Sequence, residues 1–245
     1  LCLADGGCLS AAQWCAELMF DPQQAHTRRV FRVDHPQLRD AIRLGSSQKY
    51  FSFLELHPVF EHLESHFNQI PEEKALRTPY QNALYRLHTG LAIYQQLATA
   101  CSTPLPAFLP QSQTALETYQ AYQSTIEPGL KALQKHQLGD ADVDGVALDR
   151  ILLFTDTYLK LSESSTLGIV PVWGSALADW ENVGGGLLSA LVAGKIHPIL
   201  WAYAHLQNAF LRGDAVEFNQ GLAAIWGALE AYPELCKKSR LEFRY

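Results

Sequence analysis

The sequence predicts an all-α protein built from antiparallel helical hairpins, with at most a minor extended element near residues 29–33. Three observations carry this. From Pro79 to Cys101, apolar residues recur at alternating spacings of four and three, at Tyr80, Leu84, Leu87, Leu91, Tyr94, Ala98 and Cys101, which places them on one stripe of a helix. Near the C-terminus, Pro198–Arg212 stops at Gly213 and Asp214 opens a further segment, the grammar of an αα-hairpin. Capping residues precede most of the remaining amphipathic stretches.

In chain order, Ser10 is placed to cap a helix over 11–20 that ends at Asp21-Pro22. Residues 29–33, Arg-Val-Phe-Arg-Val, alternate as a strand does. His35-Pro36 opens a short helix to Leu44, with Gly45 as its stop. Ser52-Phe-Leu-Glu55 has capping-box spacing, and His57-Pro58 starts a helix to about Asn68. The Pro-rich stretch 103–110 is the best linker, so the chain divides into 1–105 and 106–245, unless it forms one continuous domain. Helices are expected at 112–136, kinked or broken by Pro128, and at 143–162. A loop over 162–175 includes an extended piece at 169–172. Gly184-Gly-Gly186 reads as a flexible turn before a helix, and Gly186–Ala193 as core. In the last helix, Phe218, Leu222, Ile225, Leu229 and Tyr232 form the buried stripe, and Pro233 closes it.

Composition narrows the function classes. The chain has 245 residues, 48% of them hydrophobic, a net charge of −6 and no basic tract, so a nucleic-acid footprint is not supported. No apolar run is long enough to span a bilayer. The chain does not start with Met and ends on Arg240-Leu-Glu-Phe-Arg-Tyr245, which reads as a segment cut from something larger. The five cysteines, at 2, 8, 15, 101 and 236, include no C-x-x-C pair. They read as free thiols, or as one disulfide among Cys2, Cys8 and Cys15 in an oxidising compartment.

Two histidine sets are candidate ligands. His62 and His66 stand four apart on a helix and could share a metal; Glu64 follows His62 by two, not one, so the zincin pattern is absent. His197, Trp201 and His205 follow at spacings of four, a geometry suited to haem contact or, more plainly, to aromatic packing between helices. Their competing reading is structural in both cases. Gly184–Lys195 fails the P-loop spacing, and Gly174-Ser175-Ala176 lacks the glycines of a nucleophile elbow. Asp140, Asp142 and Asp144 resemble the start of a calcium loop, but Ile151 stands where the bidentate Glu belongs, so an acidic helix start is expected. No catalytic residue is assigned.

Two stretches together resemble a family. The first is Phe20-Asp-Pro22, Val30-Phe-Arg-Val-Asp-His-Pro36, Leu44-Gly45 and Tyr50-Phe-Ser-Phe-Leu-Glu-Leu56. The second is Trp201-Ala-Tyr203, Gly213-Asp214, Phe218-Asn219, Leu222 and Arg240-Leu-Glu-Phe-Arg-Tyr245. Their order is similar to the extracytoplasmic domain of large system II cytochrome c biogenesis proteins, with ResB-like and CcsA-like parts, of the planctomycete type. Residues 75–195 lie outside the resemblance. It implies a membrane-anchored assembly protein that delivers haem to apocytochrome c on the periplasmic side. This chain would then be an interaction or scaffold domain, whose partners are apocytochrome c or other assembly components and, through flanking segments, the membrane. A bilayer-crossing run is then expected soon after Tyr245. Haem belongs to the full-length parent, and no cofactor is expected for the isolated domain. Trp173-Gly174…Trp180-Glu181 departs from the family's W-G…W-x-W-D haem-handling pattern, so the resemblance assigns no site residue. Two other functions stay open: a haem- or metal-binding helical protein using its histidine pairs, and a hydrolase whose site is assembled from residues distant in sequence.

Overall fold

The computed structural model describes residues 9–42, 48–110, 114–173, 179–230 and 232. Of these, 70% are helical, with two small antiparallel strand pairs, so the protein is mostly all-α. The chain divides into two compact units after Ala98, just ahead of the Pro-rich stretch at 103–110.

The first unit starts with α1 (Ala11–Phe20), whose Ser10 and Gln13 form a reciprocal capping box. Asp21 caps α2 (Pro22–Thr27), with Pro22 at the first helical position. Arg28, after α2, forms a two-point ion pair with the nearly buried Glu17 of α1, which ties the two short helices together. β1 (Arg29–Arg32) pairs antiparallel with β2 (Tyr50–Ser52), with an irregularity between Arg29 and Phe31. Between them lies α3 (Pro36–Ile42); Leu44 and Gly45, expected to end this helix, lie outside the described residues.

Ser52 and Glu55 form the expected capping box, and it starts a helix at once: α4 (Phe53–Leu56). A 3-10 turn at His57–Val59 then leads into α5 (Phe60–Phe67). The helix expected from His57 is therefore two pieces, because Pro58 has no N–H to donate to the preceding turn. Then α6 (Pro79–Ala100) supplies the long stripe, with Leu84, Leu87, Leu91, Tyr94 and Ala98 buried. Each large apolar side chain buried here stabilises the unit by roughly 1.5–3 kcal/mol. Tyr94 stacks on Phe53, ring centroids 5.1 Å apart, and its hydroxyl lies 2.9 Å from His26 Nδ1.

The second unit is helical hairpins around a tyrosine-rich core of Tyr119, Tyr122, Phe154 and Tyr158. α7 (Ala115–Gln137) is capped by Thr114 and Glu117, and α8 (Gly145–Ser164) by Asp144. Pro128 does not break α7: the helix runs through it to Gln137. Proline forfeits one backbone bond there, but its ring is exposed, while the next residue, Gly129, lets α7 approach Ile151 of α8.

β3 (Val170–Pro171), the extended piece expected at 169–172, pairs with β4 (Trp180–Glu181). Asn182 then caps α9 (Val183–Ala193). Gly184, Gly185 and Gly186 are thus inside a helix, not in a turn. The reason is steric: a Cβ on Gly184 would sit 2.4 Å from the Ser162 nitrogen, and one on Gly186 3.0 Å from Val170. Glycine lets α9 lie against the backbone of α8. Gln123 of α7 clasps the following loop, donating to the Gly194 carbonyl and accepting from the Ile196 N–H.

α10 (Pro198–Arg212) and α11 (Ala215–Glu230) form the predicted hairpin, turned by Gly213 at φ 68°. Asp214 Oδ1 accepts the N–H groups of Val216 and Glu217. The expected buried stripe of α11 is not buried: Leu222 is 39% exposed, Phe218, Ile225 and Leu229 are half-buried, and only Gly221 is fully covered. The helix comes closest to α10 at that glycine, whose Cβ would stand 2.8 Å from Leu206, and Phe218 packs on Phe210, ring centroids 6.3 Å apart. No described helix is long and apolar enough to cross a membrane.

Candidate functional site

A cluster of buried polar and aromatic groups lies in the second unit, around His197. Its position follows from backbone conformation. With φ −61° and ψ 136°, His197 is the N-cap of α10, not a member of its helical face. Its Nδ1 accepts the N–H of Ile199, so the ring proton sits on Nε2, which donates to the Tyr232 hydroxyl at 3.0 Å. The residue is 2% exposed, and burial lowers its pKa, favouring the neutral ring.

Trp173, just beyond β3, stands edge-on to this imidazole, ring centroids 4.6 Å apart, and Lys195 Nζ lies 5.4 Å from the Trp173 ring centre. Two buried polar atoms lack a protein partner: the Trp173 indole nitrogen and Glu181 Oε1. The other Glu181 oxygen accepts the Ser189 hydroxyl at 3.0 Å. Burial pushes the Glu181 carboxyl above the usual range, and burial together with the Glu181 charge pushes Tyr232 up. Chemically, the cluster offers hydrogen-bond donors and a carboxyl biased toward its protonated form. Among the described residues it shows no activated nucleophile: its histidine is committed at both nitrogens and the pKa of its tyrosine is raised.

The spacing of four did not bring His197, Trp201 and His205 together. Trp201 packs edge-on against Tyr119, centroids 5.8 Å apart. His205 is half exposed, its Nδ1 3.9 Å from Glu217. The aromatic beside His197 is Trp173, from a different segment. Trp173, Glu181 and Tyr232 were not picked out by sequence as partners of His197; the available signal was Trp173 directly after the expected extended piece.

In the first unit, His62 and His66 do share a face of α5, ring centroids 4.4 Å apart, and His66 Nδ1 lies 3.2 Å from the Tyr80 hydroxyl. Among the described residues, no group of three His, Cys, Asp or Glu side chains is placed to hold a metal ion. Of the acidic trio, Asp144 caps α8, while Lys135 lies 3.1 Å from Asp142 and 4.0 Å from Asp140. Cys15 and Cys101 are reduced cysteines, in no disulfide; Cys2, Cys8 and Cys236 lie outside the described residues.

Comparison with protein-family models, with curated proteins and with solved structures finds no match to this chain.

Proposed function

We propose that this chain is an extracytoplasmic interaction domain of a membrane-anchored cytochrome c assembly protein, holding apocytochrome c or another assembly component rather than attaching haem itself. What carries the reading is where the family-like residues stand. Asp21 and Pro22 start α2, residues 30–33 lie in and just beyond β1, and Ser52 and Glu55 cap α4. In the second unit, Gly213 turns the α10–α11 hairpin and Asp214 caps its second helix. The resemblance is thus borne by turns, caps and strand pairing, which specify a surface and a shape. Most of the strongly placed polar groups already have structural work. Burial pushes the Glu55 carboxyl up, but bonds from Arg29, the Ser52 N–H and Gln48, with the Arg29 charge, outweigh it and hold it at about 2. His26 meets Tyr94, and His197 caps α10.

The test is genetic. Disruption of the gene in its host should abolish covalently haem-stained c-type cytochromes and spare the b-type, in which haem is not covalently attached. Unchanged c-type cytochromes would overturn the reading.

A further inference from the structure

A cleft of about 530 Å³ opens in the first unit, within the size range of ligand sites. Residues 30–33 of the β1 segment border it consecutively, together with His35, Leu38, Arg86 and Leu87, and no residue of β2 does. Successive strand side chains point to opposite faces, so a cavity against one face would touch alternate residues. Contact with Phe31, Arg32 and Val33 in a row, past the irregularity at Val30 and without β2, places the cleft along the edge of β1 that β2 leaves unpaired. The backbone agrees. Val33 N–H donates to the Lys49 carbonyl at 2.8 Å, so alternation turns the N–H and C=O of Arg32 the other way, toward that edge.

The charge of the cleft opposes that of the chain. Against a net −6, its walls carry Arg32, Arg86 and His35, with Asp34 as the one acidic member. Arg32 is already bonded to Asp34 at 3.0 Å. Arg86, one turn along α6 from the cleft-lining Ala83, has no ion-pair or hydrogen-bond partner among the described residues. His35 Nδ1 is buried without a partner. The buried Val33 and Leu38 supply an apolar floor.

We propose that this cleft binds an extended acidic peptide segment as a third strand on β1. The main chain of the peptide pairs with Arg32. One of its carboxylates sits on Arg86, within reach of His35 Nδ1, and alternate apolar side chains rest on Val33 and Leu38. This is strand addition to a sheet edge, in which backbone bonds give affinity and wall residues give selectivity. The inference stands independently of the assembly reading.

The experiment uses the whole chain and a fluorescein-labelled peptide of alternating Val and Glu, followed by fluorescence anisotropy. The expected result is saturable binding that Arg86→Gln, a surface change, weakens by about tenfold. A Val-Lys peptide should bind at least as much more weakly. N-methylation of alternate peptide nitrogens should abolish binding in one register and spare it in the other. The proposal is overturned by no saturation up to about 1 mM peptide, by equal binding of the Lys peptide, or by indifference to Arg86→Gln. Tolerance of N-methylation in both registers would also overturn it, assigning the cleft to a small anion or a side chain instead of a strand.

Discussion

His197 Nε2 lies 3.0 Å from the Tyr232 hydroxyl while Nδ1 of the same ring accepts the Ile199 N–H. The imidazole is therefore a neutral strut between the start of α10 and the residue just past α11. Protonation of Nδ1 would break the cap and put an uncompensated positive charge on a buried ring. This cost should make stability depend on pH.

Burial lowers the pKa of His197, and burial also lowers those of His26, where the charge of His57 adds to it, and His88, where Glu64 partly opposes it. In each case the unfolded chain binds a proton more readily than the folded one. The stabilising contribution is complete above the ordinary imidazole value, about 6.5, and is lost as pH falls through the lower folded values. Glu181 has the opposite sign, its raised pKa favouring the fold at low pH and losing that contribution as pH rises. Three histidines against one carboxyl make the expected direction clear. The urea midpoint should fall between about pH 7 and pH 5, and His197→Asn, which retains a capping side chain, should reduce the slope. A midpoint that is flat or rises on acidification in this window would contradict the buried-neutral assignment.

Gly184 and Gly185 are adjacent but face different surroundings. A Cβ at 184 meets the Ser162 nitrogen at 2.4 Å and the Tyr158 carbonyl oxygen at 2.8 Å, both backbone atoms that cannot rotate away. A Cβ at 185 meets the Glu181 Cβ and Oε2 at 3.2 Å, a tight contact relieved by a shift of a few tenths of an ångström rather than a clash with backbone atoms. Gly184→Ala should therefore destabilise by about 3 kcal/mol through forced separation of α8 and α9. Gly185→Ala should be near neutral or slightly stabilising, since alanine favours helix by roughly 1 kcal/mol. Chemical denaturation of the two variants checks the contrast, and equal effects would remove the close-packing explanation for the glycine run.

This pair also shows what a sequence exposes and what it withholds. Ser10 with Gln13, Ser52 with Glu55, Asp144, and Gly213 with Asp214 all act on neighbours within a few residues, so their roles are visible as spacing. Gly184 answers to Ser162, more than twenty positions away, and three glycines in a row read locally as a turn. His197 shows the same limit at a site. Counting by four assumes a helical backbone at every counted position, and the cap conformation of His197 turns its ring toward Trp173 instead of Trp201. For α11, the apolar period was correct as a helix signal but not as a measure of burial. Close approach to α10 at Gly221, with Phe218 packed on Phe210, took the place of a fully buried stripe.

Pro128 gives a prediction of the opposite sign. It is exposed inside a continuous helix, and it leaves the Ser124 carbonyl without the backbone donor four residues on. Pro128→Ala restores that donor and removes no buried contact. It should stabilise the protein by about 1–3 kcal/mol, read as a higher thermal midpoint with unchanged helix content. A loss of stability would show that α7 needs the proline geometry to present Gly129 and Ala132 to α8.

Haem is the last case, and the two candidate ligands of the second unit, His197 and His205, separate cleanly. An iron atom needs a free imidazole nitrogen. His197 has none: one nitrogen accepts the Ile199 N–H, the other donates to Tyr232, and the ring is 2% exposed. Ligation there would give up a helix cap, which contributes about 1 kcal/mol, together with a buried hydrogen bond. His205 is half exposed, with a carboxylate 3.9 Å away as its nearest charged neighbour, and is open to a single weak axial contact. Hemin titrated into the isolated chain should therefore give no saturating one-to-one Soret band at low micromolar concentration. Any residual spectral change should disappear with His205→Ala and persist in His197→Ala. A sharp one-to-one band that depends on His197 would mean that α10 uncaps to bind iron, and would make this unit a haem carrier.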